Sequence, residues 1–147
     1  MDRSLRVLSR PDSLSAVMNA DARLVFSSRI FNHVTPLLRQ LYWLKALERI
    51  DYKLAVLVYK CQHGSAPPYL ADKLCRPADI EGRRCLHSAS SPSPIVRRTW
   101  LSTVGDWAFP VAASRVWNDL PQHVTAAECL PVFCSRLKTH LFRRCFP

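Results

Sequence analysis

At 147 residues the chain has the length of one ordinary domain, and its 48% hydrophobic content with four tryptophans excludes a solvated, disordered polymer. Twenty-one lysines and arginines against 11 aspartates and glutamates leave a net charge of +10, a balance that favours polyanionic partners such as nucleic acid. No apolar run reaches the ~20 residues that span a bilayer, so no membrane segment is expected. The opening MDRSLRVLSRPDSL also lacks the apolar stretch of a secretory signal. An intracellular protein of the nucleus or cytoplasm, its six cysteines reduced, is the expectation.

Residues 1–13 read as a flexible basic lead-in, with Met1 to Pro11 unpatterned and Asp12 or Ser13 placed to cap the helix that follows. Leu14, Val17, Met18, Ala22 and Val25 form its apolar stripe, and Ser27 to Asn32 is a connector. Thr35 stands where a cap belongs, and Pro36 suits the first turn of a short helix burying Leu37, Leu38 and Leu41. The longest unbroken element is predicted from Ala46 to His63. Leu47, Ile50, Leu54, Leu57, Val58 and Cys61 recur at spacings of three and four, which places them on one helical face. Lys45, Glu48, Arg49, Lys53 and Lys60 gather opposite. Gly64 can take the left-handed conformation that ends a helix, and Pro67-Pro68 cannot continue it. A short helix then starts at Pro68, with Tyr69, Leu70 and Leu74 turned inwards.

Arg76 to Pro94, RPADIEGRRCLHSASSPSP, has no sustained period and reads as a long Ser/Pro/Arg-rich loop. Ile95-Val96 and Trp100 to Val104 are predicted as two short strands of a hairpin, with Gly105-Asp106 as a turn. A helix around Ala112 to Asn118 should bury Val116 and Trp117. A last amphipathic helix, from Pro131 to about Arg143, carries Phe133, Cys134, Leu137, Leu141 and Phe142 on its apolar face. The expected fold class is mainly α: one small helical domain over residues 14–147, with a short β-hairpin and the long loop.

The order of these segments carries a resemblance. The run ARLVFSSRIFNHVTPLLRQLYWLKALERIDYKLAVLVYKCQHGSAPPYLADKL, followed by GDWAFPVAASRVWNDLP and then FCSRLKTHLF, resembles the C-terminal part of reverse-transcriptase polyproteins of LINE-type (non-LTR) retrotransposons. The similarity covers Leu14 to Phe146. It rests on the joint order and spacing of the pieces, none of which is a catalytic signature. Lys45-Ala46 replaces a proline-containing pair common after the WL of that family, and Pro110 replaces a usual serine. The resemblance implies a mostly helical region downstream of the polymerase palm and thumb, placed to touch the RNA template or target DNA. It implies no enzyme. Polymerase chemistry needs palm carboxylates that hold two metal ions, whereas the eight aspartates here are scattered singly and no Tyr-x-Asp-Asp occurs. The family's endonuclease domain is likewise missing. A non-catalytic remnant follows, with residual sequence-independent RNA or DNA binding. The alternatives are a helical protein–protein interaction module, or a retroelement-derived reading frame without selected function.

Two sets of side chains invite a metal reading and are outweighed. Cys129, Cys134, His140 and Cys145 offer three thiols and an imidazole, but they are spread along an amphipathic helix instead of a tight turn. Cys61, His63, Cys75, Cys85 and His87 straddle the loop without a constrained spacing, and buried free thiols pack as small hydrophobes. No metal, cofactor or small-molecule substrate is expected. The basic residues weigh more, because Pro131 to Pro147 contains no acidic side chain while Arg136, Lys138, Arg143 and Arg144 crowd the polar face. Arg83-Arg84 and Arg97-Arg98 add two pairs around the loop. These eight are the candidate phosphate contacts, of a kind that gives salt-sensitive binding without base specificity.

Overall fold

The computed structural model describes residues 9–74, 94 and 108–147. Seven helices follow one another there: α1 (Ser9–Val25), α2 (Thr35–Gln40), α3 (Ala46–Gln62), α4 (Pro68–Ala71), α5 (Phe109–Asn118), α6 (Gln122–Thr125) and α7 (Leu130–Cys145). The protein is mainly helical, and among the described residues there is no strand. The hairpin predicted at Ile95-Val96 and Trp100 to Val104 lies outside the described residues. So does the loop predicted from Arg76, apart from Pro94. Among the described residues no helix is long and apolar enough to cross a membrane.

Packing divides the chain into two compact units, one of residues 1–50 with 138–147 and the other of residues 51–137. In the first unit, Met18 and Ala22 of α1, Leu38 of α2, Leu44, Ala46, and Leu141 and Cys145 of α7 are buried. In the second, Ala55, Val58, Tyr59 and Cys61 of α3 are buried, as are Val111, Ala113 and Trp117 of α5, Val124 of α6, and Phe133 and Leu137 of α7. The centre of the second unit is aromatic. The Phe133 ring stacks on Tyr59 at 4.4 Å between centroids and on Trp117 at 5.7 Å. The Tyr59 hydroxyl donates to the Ala127 carbonyl at 3.0 Å, so its polar end enters the core already partnered. Burying side chains of this size contributes about 1.5–3 kcal/mol each before conformational entropy is set against it.

Three helices end in one backbone device. The N–H of Ser28 donates to the Arg23 carbonyl at 2.9 Å, that of Trp43 to Leu38 at 2.9 Å, and that of Ser65 to Lys60 at 2.8 Å. Each bond reaches back five residues across a left-handed residue: Ser27 (φ 48°), Tyr42 (φ 54°) and Gly64 (φ 67°) respectively. This pattern satisfies carbonyls that the end of a helix leaves open. Gly64 was legible as such a stop; Ser27 and Tyr42 do the same without glycine's freedom.

Several local expectations change. Helix α1 begins at Ser9, before Asp12 and Ser13, so neither caps it; Pro11 falls in the first turn, where its missing N–H is not needed. Of the α1 stripe, Met18 and Ala22 are buried, while Val17 and Val25 are exposed. Thr35 is the first residue of α2 and Val34 holds the cap position, without a side-chain bond. The buried face of α3 is turned towards Ala55 and Tyr59, leaving Leu47 exposed and Ile50, Leu54 and Leu57 half-buried. Tyr69 of α4 is exposed, although Leu74 is buried as expected. Helix α5 starts three residues early because Pro110, like Pro11, is accepted in a first turn.

Candidate nucleic-acid interface

The first unit brings cations and aromatic rings together at the C-terminal half of α7. Lys138, Thr139 and Phe142 face the turn that joins α2 to α3. There Tyr42 lies against Phe142, with ring centroids 4.1 Å apart and planes inclined by 37°. The Lys138 ammonium sits 4.8 Å from the centre of the Tyr42 ring, within the range of a cation–π contact. The Tyr42 hydroxyl is 3.5 Å from the Thr139 hydroxyl. Phe142 continues to Phe146 at 4.8 Å, and the Lys45 ammonium lies 5.2 Å over the Phe146 ring.

Lys45 has a second task. Its Nζ donates to the Cys145 carbonyl at 3.2 Å, a cation on the negative end of the α7 dipole. Burial pushes the Cys145 thiol up, with Glu48 reinforcing the shift and Lys45 opposing it, which keeps the sulfur protonated and unreactive. In the α2–α3 turn, the Arg49 Nε donates to the Leu44 carbonyl at 3.2 Å and its guanidinium lies 5.4 Å over Trp43. Trp43 is thereby held half-buried beside a cation, and Trp117 is a core residue of the other unit.

The predicted basic residues separate into groups. Lys138, Arg143 and Arg144 are exposed on α7 in the first unit. They do not share one polar face. Five and six residues separate Lys138 from Arg143 and Arg144, which at about 100° per residue turns them ~140° and ~120° away in opposite senses. Arg136 belongs to the second unit, where its guanidinium donates to the His123 carbonyl at 2.9 Å and closes the end of α6. It is a structural contact as well as a surface charge. Arg83, Arg84, Arg97 and Arg98 lie outside the described residues.

The cysteines are dispersed. Cys61 and Cys145 are buried, Cys134 is half-buried and Cys129 exposed, and among the described residues no three His, Cys, Asp or Glu side chains converge as a metal site would require. Cys75, Cys85 and His87 lie outside the described residues. Cys134 instead hydrogen-bonds Tyr52, and burial together with that bond pushes the Tyr52 phenol up to about 12. In the first unit an open cavity of about 210 Å³ is lined by Ser15, Asn19, Thr35 and Lys45 among others. That is below the ~300 Å³ at which small-molecule sites begin.

Tyr42 and Lys45 were not among the sequence candidates. The Tyr42–Thr139 contact joins residues 97 positions apart, so no local pattern announces it. The one available signal was the triplet Lys138, Phe142 and Phe146, spaced by four and therefore neighbours along a helix. Comparison of the chain with known protein families, with curated proteins and with solved structures gives no match.

Proposed function

We propose that the chain is a non-catalytic, sequence-independent nucleic-acid-binding protein, derived from the C-terminal region of a non-LTR retrotransposon reverse transcriptase. The derivation rests on the order of the three sequence segments that resemble that family. The observation that carries the binding is the meeting of Lys138 with the exposed Tyr42 ring, on a helix that also exposes Arg143 and Arg144. The stretch from Pro131 to Pro147 contains no acidic side chain of its own. Phosphates meeting them would release condensed counterions, so affinity falls steeply with salt and differs little between sequences.

The test is fluorescence anisotropy with unrelated RNA and DNA strands across a salt series. Wild type is compared with a triple variant carrying Lys138→Gln, Arg143→Gln and Arg144→Gln. Arg136 is left intact because it closes α6. The variant should bind every sequence more weakly, and its salt slope should fall by about 2, since each phosphate contact on a single strand contributes ~0.7. Parallel curves for the two proteins would overturn the proposal.

One observation favours a second reading, a protein-interaction module. The end of α1 and the turn after it expose four large apolar residues within eight positions, Leu24 (76%), Val25 (60%), Ile30 (78%) and Phe31 (95%). An apolar interface would survive the high salt that abolishes phosphate binding.

A further inference from the structure

Tyr42 occupies the left-handed position that closes α2, with φ 54°. A residue with a Cβ pays about 1–2 kcal/mol for that conformation, and glycine is the usual occupant. Such an outlier is a reason to ask what the side chain does. Its ring and hydroxyl meet Lys138, Thr139 and Phe142 of α7. The ring packs on Phe142 and under the Lys138 ammonium, and 41% of the residue remains exposed. Tyr59 in the second unit, 3% exposed and sealed among rings, shows how a purely structural tyrosine sits in this protein.

We infer that Tyr42 is a stacking platform for an unpaired nucleobase, with Lys138 as the cation for the adjoining phosphate. The inference rests on the proposed nucleic-acid binding and adds its ligand class: single strands, whose base faces are open, over duplexes, whose faces are covered. Every base has a π-face, so a stacking platform is tolerant of sequence and agrees with phosphate-led affinity. The Lys138 ammonium already lies over the ring at 4.8 Å and needs only to swing on its flexible stem to reach a phosphate beside a stacked base. Phe142 behind the ring keeps it in place while that happens.

The experiment uses the full chain and three labelled probes of equal length: a 12-mer of uridines, the same backbone without bases, and a 12-base-pair duplex. Wild type should bind the uridine strand about five- to a hundredfold more tightly than the abasic strand, the range that one or two stacked bases supply. Tyr42→Ala should remove that preference, so that the uridine and abasic strands bind it equally, whereas Tyr42→Phe and Tyr42→Trp should retain it. Because Tyr42→Ala also loses packing on Phe142, wild type is tested separately by photocrosslinking to a 5-iodouracil strand, with the adduct expected on Tyr42. Equal wild-type affinity for the uridine and abasic strands, or an adduct that forms only elsewhere, overturns the platform while leaving phosphate binding in place. Failure of wild type to bind any of the three probes at low salt overturns the nucleic-acid reading itself.

Discussion

The Tyr59 hydroxyl donates to the Ala127 carbonyl in a side chain only 3% exposed, and neither group has water to fall back on. Tyr59→Phe keeps the stacking on Phe133 but leaves that carbonyl unpartnered. It should therefore cost about 1–3 kcal/mol, more than the ~1 kcal/mol of an average hydrogen bond. Urea unfolding followed by circular dichroism measures it, and a change below ~0.5 kcal/mol would mean that the carbonyl finds another donor. The same comparison explains why Tyr42 escaped a reading by residue type. Both tyrosines follow apolar neighbours in the sequence and both meet rings of α7, and only burial separates them, Tyr59 being sealed and Tyr42 exposed. The basic residues of α7 were legible as charges. Their separate directions around the helix follow from spacings of five and six, whereas the bond from Arg136 to His123, thirteen residues away, has no local signal.

At the scale of elements, the shared ending of α1, α2 and α3 makes opposite substitutions diagnostic. An added Cβ at Gly64 would meet nothing within 4 Å, so Gly64→Ala tests the left-handed backbone alone. It should destabilise by about 1 kcal/mol. Ser27→Gly should do the reverse. Relief of ~1–2 kcal/mol of left-handed strain outweighs the ~0.4–1 kcal/mol by which glycine favours the unfolded chain, leaving a net gain of about 0.5–1 kcal/mol. Both are read from urea midpoints, and a gain at Gly64 or a loss at Ser27 would contradict the shared ending. Helix α3 was readable from its start at Ala46 to its stop at Gly64, because periodicity and glycine act locally. Its buried face was less so: Leu47 and Tyr59 both fit an apolar stripe, and only the neighbours decide that Tyr59 goes inside. The early starts of α1 and α5 were hidden by Pro11 and Pro110, which look like breakers but are harmless in a first turn.

For the molecule as a whole, alkaline pH is the informative stress. Burial and the Cys134 bond raise the Tyr52 phenol from 10.0 to about 12, and burial raises Tyr59 as well. Between those values the unfolded chain gives up protons that the folded one retains, so stability falls as pH rises. This contribution is present in full below pH 10 and is lost on the way to about 12. Thermal unfolding from pH 8 to 11.5 should show a midpoint that declines above pH 10. In Tyr52→Phe the decline should be shallower, and an unchanged slope would remove Tyr52 from the account.

The first unit joins residues 1–50 to residues 138–147 across the whole of the second. A ribosome delivers the chain from one end, so unit two exists in full before the partner segment of unit one has been made. Until Leu141, Phe142 and Phe146 arrive, the early segment must wait with its apolar side chains uncovered, a condition that invites chaperones or aggregation. The α7 segment that carries Lys138 is thus also the piece that packs Tyr42, and a nascent chain halted before it would carry that ring with nothing behind it.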